Sequence, residues 1–263
     1  EIAVRRALKI NPDLPEALVN LANLVFEKSQ ISAAIELLER ALSINPHSTS
    51  ALNNLSSLYA CGGDAYQAAE TSQKAVLLEP HKSEWHDTLL LNQLYSDAYT
   101  DEDRNAMFSF YRKNFEDQLP STAFRPHLNS PMAGRRLNIA YVSGDFRRHS
   151  VSYFLENLFQ FHNKEQFKLF FYHNSDYFDS TTERYKRKFA DEWRNIFGLS
   201  SEVVAELARD DEIDILIDLS GHTKNNMLPA FARKPAPVQV TWLGYPDTTG
   251  LNNIDYQIVD PII

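Results

Sequence analysis

The stretch YVSGDFRRHSVSYFL, residues 141–155, contains the change of pattern that determines the fold of the second half of the chain. It begins as a short apolar run that ends at Gly144, which is typical of a buried strand. From residue 151 onward the apolar residues recur at helical spacing. The turn between the two patterns contains Asp145 and His149. A strand, a turn and a helix in this order form the usual ligand edge of an open α/β sheet, so the turn is a candidate site.

The rest of the second half alternates in the same way. Strands are predicted at 137–143, 167–173, 213–221, 237–246 and 255–260. Helices are predicted after the first strand, around Tyr185 and Phe189, at 202–210, and over NNMLPAFARK at 225–234. Strands that alternate with helices predict βαβ units and a parallel sheet, in which the loops after the strands share one edge.

Three predicted loops after strands combine glycine with hydroxyl side chains. They are 143–145 followed by His149, 220–223 with His222, and 244–246 followed by Thr248 and Thr249. Backbone N–H groups and side-chain hydroxyls suit a sugar or a phosphate. No G-x-G-x-x-G follows a strand and no Walker loop occurs, which disfavours dinucleotide and nucleoside-triphosphate binding. Asp214 and Asp218 are not spaced with His or Cys as a metal site requires, so no metal site is predicted.

The first third of the chain repeats every 34 residues. The repeating positions are Pro12, Pro46 and Pro80; Ala7, Ala41 and Ala75; Leu8, Leu42 and Val76; and Leu21, Leu55 and Leu89. This period, with small residues at constant positions, is the signature of tetratricopeptide repeats, which are helix hairpins. Such solenoids expose a concave face that binds extended peptides. Asn20 and Asn54 are equivalent positions on the first helices, where they either bond a peptide backbone or cap and solvate the helix surface.

These patterns divide the chain into four segments. Residues 1–90 are predicted to be tetratricopeptide repeats, and residues 91–118 a helical adaptor without the period. Residues 119–136 contain three prolines and one glycine and are predicted to be a linker. Residues 137–263 are predicted to form a Rossmann-like lobe. The predicted fold class is therefore a helical solenoid followed by a parallel α/β lobe.

Composition disfavours several classes of protein. The net charge of −9 argues against a general nucleic-acid binder, and no apolar run approaches the roughly 18 residues of a membrane span. Cys61 is the single cysteine, so the chain has no internal disulfide, as is usual in a reducing compartment. The first residues, EIAVRRALKI, lack a signal-peptide pattern and are typical of the middle of a helix, so we expect the chain to begin inside a larger protein.

The repeats followed by YVSGDFRRHSV, DLSGHTKNN and RKPAPVQVTWLGYPDTTG resemble, in that order, the O-linked N-acetylglucosamine transferases. The resemblance covers essentially the whole chain. It implies a repeat superhelix fused to a two-lobed glycosyltransferase of the GT-B type, with only the first lobe in this chain. It also implies transfer of N-acetylglucosamine from UDP-N-acetylglucosamine to Ser/Thr hydroxyls of protein or peptide acceptors, which the repeats bind. The family needs no metal or other cofactor, and the enzyme is expected in the cytoplasm, and also in the nucleus of a eukaryote.

The resemblance places the family's catalytic-lobe histidine at His149 and its G-[HY]-T turn at Gly221, His222 and Thr223. His149 is therefore the candidate catalytic residue, as a base or as a positioning group. Without the resemblance, a surface histidine near a helix N-terminus is the simpler interpretation. Two roles stay open for the turn of Gly221, His222 and Thr223, namely binding of substrate and capping of the next helix by Thr223. Tyr245 is a further candidate for substrate binding, with packing in the core as the simpler interpretation.

Three further residues near the loops also have predicted roles. Asp145 is expected to hold its turn and Trp242 to lie in the core, whereas Asp218 is either catalytic or a capping residue. Two other functions stay open: a repeat-based scaffold whose α/β lobe only binds, and a related glycosyltransferase with another sugar or acceptor. Histidines in the turns favour an enzyme. Because the family binds the nucleotide mainly through its second lobe, residues 1–263 alone are expected to be inactive.

Overall fold

The structure is a computed structural model that describes residues 1–260, so the last three residues of the predicted 137–263 lobe lie outside the described residues. It has two compact units. The first is Glu1–Met107, and the second begins at Phe108. The division lies within the segment that the sequence predicts to be an adaptor.

The first unit is built from helices. They are α1 (Ile2–Ile10), α2 (Pro15–Phe26), α3 (Ile31–Ile44), α4 (Thr49–Cys61), α5 (Ala65–Leu78) and α6 (Ser83–Leu94), followed by α7 (Asp101–Phe115), which continues into the second unit. Helix α2 packs on α3 and α4 packs on α5, so one 34-residue period corresponds to one pair of helices. Pro12, Pro46 and Pro80 each lie two residues after the end of α1, α3 or α5. These helices end there because proline lacks an N–H and disfavours helix in the residue before it.

Small residues at the repeating positions let these helices approach closely. Ala34 and Ala41 on α3 and Ala51 on α4 have no exposed surface, and Ala75 on α5 is almost as deeply buried. Ala7, which begins the column of Ala41 and Ala75, is only half-buried on α1. A longer side chain at the buried positions would push the helices apart.

The second unit is a parallel sheet with helices packed against it. Its further elements are β1 (Leu137–Ser143), α8 (Ser150–Phe161), β2 (Phe167–His173), α9 (Ser180–Lys188), β3 (Glu192–Asn195), α10 (Ser201–Asp210), β4 (Ile215–Asp218), α11 (Leu228–Phe231), β5 (Val238–Trp242) and β6 (Tyr256–Ile258). The strand order is β3-β2-β1-β4-β5-β6, and every neighbouring pair is parallel. This is the order of the doubly wound sheets, and it confirms the predicted parallel α/β lobe.

Three strands differ from their predicted bounds, whereas β1 and β2 have the predicted ones. β4 is shorter than the predicted 213–221 and β5 shorter than 237–246, because residues 219–221 and 243–246 leave the sheet as turns. β6 is shorter than 255–260. The sequence does not predict β3, whose residues EWRN form no apolar run. It is an edge strand whose first three residues are only half-buried and whose last is exposed, so it needs no such run.

Alternate residues of β1 enter two separate cores. Ala140 and Val142 belong to the core that also contains residues of α10 and α11, whereas Ile139 and Tyr141 belong to the core with residues of α8 and α9. A strand covered on both faces needs apolar side chains throughout, which explains the nearly continuous apolar run LNIAYVS. The two cores fix the sheet, and the sheet in turn fixes where its strands end.

The turn-rich segment 119–136, predicted to be a linker, belongs to the second unit and is hydrogen-bonded to residues of its α/β part. Arg135 forms a two-bond ion pair with Asp214, which lies just before β4, and Asn129 donates to the same carboxylate. Arg209 of α10 donates to the carbonyls of two further residues of the segment. Asp214 therefore holds this segment on the edge where the strands begin, opposite the edge with the candidate loops.

Candidate functional site

The candidate site lies where the strand order reverses. Strands β1 and β4 are neighbours, and the helices that follow adjacent strands at such a switch point lie on opposite faces, which leaves a crevice between the two loops. The loop after β1 is residues 144–149 and the loop after β4 is residues 219–227. The sheet therefore places two of the three predicted loops side by side.

The β1–α8 turn is fixed by its own polar groups and by one buried ring. The backbone N–H of Asp145 donates to Ser143 Oγ at 2.9 Å, and the Asp145 carboxylate accepts from Arg147 Nε at 3.1 Å. Phe146 is fully buried, and its ring centroid lies 5.1 Å from that of Phe171 on β2. Asp145 thus has the turn-holding contacts that its position predicts. They bring its Oδ2 within 3.7 Å of His149 Nδ1.

His149 is the N-cap of α8. Its Nδ1 accepts from the Val151 N–H at 3.4 Å, and the Ser152 hydroxyl donates to the His149 carbonyl at 2.6 Å. An Nδ1 that accepts carries no proton, so this contact fits the tautomer that has its proton on Nε2. The side chain is 35% exposed. In this conformation His149 offers an Nε2–H donor to a ligand, and it becomes a proton acceptor through Nδ1 only if it releases Val151.

The turn after β4 is organised by Asp218, which has no exposed surface. Its carboxylate accepts from the N–H groups of Ser220 at 3.1 Å and Gly221 at 2.8 Å, and from Thr241 Oγ1 on β5 at 2.8 Å. Burial raises the pKa of Asp218 above its usual range, and these hydrogen bonds oppose that rise. Of the two roles open for Asp218, the structure shows the contacts of a capping carboxylate. Thr223 Oγ1 donates to the Ser220 carbonyl at 2.8 Å, and it is Met227 that occupies the N-cap of α11.

His222 lies beneath this turn, with no exposed surface. Its Nε2 is 2.9 Å from the carbonyl oxygen of Thr249, and since a carbonyl only accepts, Nε2 carries the proton. The ring packs edge-on against Tyr111 of α7 at 4.7 Å and Tyr245 at 5.3 Å between centroids. The side chain therefore supports the turn from inside. Its substrate-binding role stays a prediction, which would require the side chain to become accessible.

The third loop packs directly on the second. Gly244 has φ 72, and a Cβ there would lie 2.6 Å from the carbonyl oxygens of Leu219 and Ser220. A Cβ on Gly221 would lie 2.4 Å from Cβ of Tyr245. Tyr245 is 5% exposed, so the packing interpretation describes its ring, and contact with a substrate stays a prediction. Glycine is needed at Gly244 because a second backbone approaches closely, and at Gly221 because the Tyr245 side chain occupies the space of a Cβ.

The two asparagines of the first unit differ in their surroundings. Asn20 is exposed on α2, whereas Asn54 is half-buried on α4 and its Nδ2 donates to Oδ1 of Asn23 at 2.9 Å. Sequence reasoning missed Asn23, because the equivalent position one period later is Ser57 and the column is not repeated. Peptide binding by Asn20 and Asn54 stays a prediction.

Sequence reasoning also missed Asn174, the residue after β2. Its side-chain amide donates to the carbonyls of Asn225 at 2.9 Å and Asn226 at 3.1 Å, both in the β4–α11 loop. Its place directly after a predicted strand is the one signal that the sequence offers. The sequence does not show its two hydrogen-bond partners, because they lie 51 and 52 residues away along the chain.

Residues 1–260 lack two further features. No group of three or more His, Cys, Asp or Glu side chains within this range is arranged to hold a metal ion. No helix in the same range is both long and apolar enough to cross a membrane.

The family of the chain follows from comparison with known proteins. The model of glycosyl transferase family 41 matches residues 115–263, which is more than half of the chain. The chain belongs to glycosyl transferase family 41. The match includes both turns at the switch point, so the resemblance seen in the sequence is confirmed.

Family 41 relatives extend well beyond this chain. A protein of Oryza sativa subsp. japonica, named probable UDP-N-acetylglucosamine–peptide N-acetylglucosaminyltransferase SPINDLY, is 46% identical over 137 residues, which are 51% of this chain and 15% of the relative. The UDP-N-acetylglucosamine–peptide N-acetylglucosaminyltransferase of Caenorhabditis elegans is 37% identical over 133 residues, 49% of this chain and 11% of the relative. The structure of a mutant O-GlcNAc transferase from Thermobaculum terrenum matches with a TM-score of 0.85 and 35% identity, over 97% of this chain and 48% of that one. The chain thus spans about half of that solved structure and a smaller part of the curated relatives.

Proposed function

We propose that this chain is part of a protein O-GlcNAc transferase, which moves N-acetylglucosamine from UDP-N-acetylglucosamine to Ser or Thr hydroxyls of proteins. The observation that carries the proposal is the match to the O-GlcNAc transferase of Thermobaculum terrenum, because it extends over 97% of this chain at 35% identity. The curated relatives, whose names describe the same reaction, support it.

The switch-point edge has groups that suit this reaction. The acceptor oxygen forms a bond to the anomeric carbon of the sugar, the bond from that carbon to the diphosphate breaks, and the hydroxyl proton must leave. His149 is the candidate residue. In the tautomer that fits the Val151 contact, it donates from Nε2 to an oxygen of the acceptor or the donor, and so acts as a positioning group. As a base it would have to accept the proton at Nδ1 after releasing Val151.

The polar surroundings of the edge fit an anionic donor. Arg148 on the first loop and Lys224 on the second are exposed cations, in a chain whose net charge is −9. The N-terminus of α8, a helix of 12 residues, adds partial positive charge beside Arg148. We propose that the donor binds without a metal, as the family resemblance implies. Addition of a chelator to the working enzyme tests this, since unchanged turnover is expected.

The helix pairs of the first unit are proposed to be tetratricopeptide repeats that bind the protein acceptor. Their 34-residue period and the proline after every second helix support this. Asn20→Ala together with Asn54→Ala should raise the KM for protein acceptors several-fold and leave the KM for the sugar nucleotide unchanged. Asn53→Ala, on the same helix as Asn54, is the control. A change confined to the sugar-nucleotide KM would contradict the proposed role of the asparagines.

The location proposed for the protein is the cytoplasm, with the nucleus added in a eukaryote. Hydroxyl groups of cytoplasmic proteins would then be its substrates. Fractionation of the source cells, with antibody detection of the protein, tests this location.

One experiment tests the activity itself. The full-length protein is incubated with UDP-N-acetylglucosamine and protein acceptors, and modified peptides are found by mass spectrometry. Parallel reactions contain other nucleotide sugars. Transfer of N-acetylglucosamine to Ser or Thr is expected. Transfer of a different sugar would show a related glycosyltransferase, and the absence of any transfer, with intact acceptor binding, would show a scaffold.

A further inference from the structure

Asn174 connects three loops beside the switch point. Its backbone N–H donates to the Ser143 carbonyl at 2.9 Å, which continues the pairing of β1 and β2 beyond both strands. Its side-chain amide donates to the carbonyls of Asn225 and Asn226. The residue is 6% exposed. One buried residue therefore holds the ends of β1 and β2 and the far part of the β4–α11 loop together.

Gly144, in the loop after β1, also belongs to this junction. A Cβ at this position would lie 2.7 Å from Cβ of Asn225 and 3.1 Å from the carbonyl oxygen of Asn174. Any other residue would therefore displace the β4–α11 loop. Asn225 has φ 61, a left-handed conformation that asparagine adopts more readily than most residues. The missing side chain of Gly144 and the left-handed backbone of Asn225 thus allow the close approach that the amide of Asn174 secures.

The β4–α11 loop depends on such contacts because residues 219–227 contain no helix or strand. Asp218 holds the beginning of the loop through Ser220 and Gly221. Asn174 holds its other end, beyond the turn of Gly221 and Thr223. The turn is therefore fixed from both sides, and the Asn174 contact ties its far end to the side of the crevice that carries His149.

We infer that Asn174 is a positioning residue, whose amide sets the distance between the Gly221–Thr223 turn and His149. The inference rests on the proposed function, in which these two loops hold the reacting groups. Reactions between bound groups are sensitive to placement, and a displacement of about 1 Å can lower the rate about 100-fold. Asn174 acts through the loops, since its amide protons are already donated to Asn225 and Asn226.

Asn138 provides a matched control at the opposite edge of the sheet. Its amide also donates to two successive carbonyls, those of Asp211 at 3.0 Å and Glu212 at 3.1 Å. Asn138→Ala and Asn174→Ala thus remove the same two types of bond. In the full-length protein, Asn174→Ala should lower kcat about tenfold or more at saturating substrates. Asn138→Ala should leave kcat within about twofold while also lowering the melting temperature. Equal kcat losses in the two variants would overturn the inference.

A double-mutant cycle separates positioning from general destabilisation. If Asn174 acts by placing the turn relative to His149, its loss matters less once the imidazole is gone. The combined loss of kcat in Asn174→Ala, His149→Ala should then be smaller than the product of the single losses. Losses that multiply would show that Asn174 does not act through His149.

Amide hydrogen exchange tests the junction without any activity. Residues 220–227 should exchange faster in Asn174→Ala than in Asn138→Ala. If the alanine variant does not fold, Asn174→Ser replaces it, because serine also lacks the amide and adds no charge beside the two carbonyls. An inactive wild-type protein would contradict the proposed function, and exchange alone would then decide the inference. Faster exchange only in the Asn174 variant supports it, and equal exchange in both variants overturns it.

Discussion

The two units place their side chains by different means. In the first unit, Ala41 and Ala75 lie 34 residues apart and have nearly identical burial, because each helix pair repeats the one before it. In the second unit, Gly144 and Gly221 have surroundings that recur nowhere else among the described glycines. Contacts in the repeats join neighbouring helices, whereas the loops at the ends of the parallel strands join residues as distant as Asn174 and Asn226. Equivalent positions of the repeats therefore have the same surroundings, whereas each position at the switch point has surroundings of its own.

The largest expected effect is at the switch point. His149→Ala in the full-length protein should lower turnover at least about 100-fold, since removal of a general acid–base group typically costs 10²–10⁴-fold. It should also lower stability by about 1 kcal/mol, because His149 caps α8. Steady-state kinetics and thermal unfolding measure the two effects separately.

His149→Asn is the matched control for the cap. Asparagine is a favourable N-cap residue, so this variant should keep the wild-type melting temperature and still lose turnover. Near-normal turnover in both variants, with only the alanine variant less stable, would mean that His149 is structural. The expected difference between the two units at this position, a side chain with a role in the reaction, would then be absent.

Close packing between loops gives the next largest effect. Gly221→Ala should destabilise the second unit by about 3 kcal/mol, because it adds a Cβ 2.4 Å from that of Tyr245 and forces a non-glycine residue to φ 52. Gly198→Ala is the control, since Gly198 has φ 79 and nothing within 4 Å of the added atom. It should cost only about 1 kcal/mol. Urea unfolding measures both, and equal losses would show that the contact with Tyr245 relaxes without cost.

Overpacking in the first unit is expected to have a smaller effect on stability, and the effect should be the same at equivalent positions. Ala41→Leu and Ala75→Leu should each cost about 2 kcal/mol through overpacking, and the two values should agree because the positions are equivalent. Ala7→Leu, in the same column but half-buried, should cost much less. Chemical denaturation of the three variants measures this. Unequal costs for Ala41 and Ala75 would mean that the repeats are not interchangeable.

The smallest expected effect is a pH dependence of the first unit. Hydrogen bonds from Thr49 and Trp85, with Lys82 nearby, lower the pKa of Glu79 from 4.5 to about 2. A pKa below its unfolded value favours the fold at pH above about 4.5, and this contribution is lost as the pH falls toward 2. Glu79→Gln should therefore flatten the acid limb of stability against pH. Glu36→Gln, an exposed site with the same charge change, should not.

Parts of this fold and site can be predicted from single residues and their spacing. The apolar run LNIAYVS, the helical spacing after it and the 34-residue period predict β1, α8 and the helix pairs correctly. The edge strand β3 is missed because a half-buried strand needs no apolar run. Asn174 is missed for a different reason, since its importance depends on where Asn225 and Asn226 lie.

The sequence by itself determined the period of the repeats, the alternation of strands and helices, and the positions of the glycines and histidines along the chain. These are local properties, because helix and strand periodicity and the φ preferences of glycine and proline act over a few residues. Only the tertiary structure decided that His222 is buried under its turn whereas His149 is partly exposed at the head of a helix. It also decided that Asp218 caps a turn and that β1 lies next to β4. Those outcomes depend on strand order, which brings together residues far apart in the chain and which no local pattern encodes.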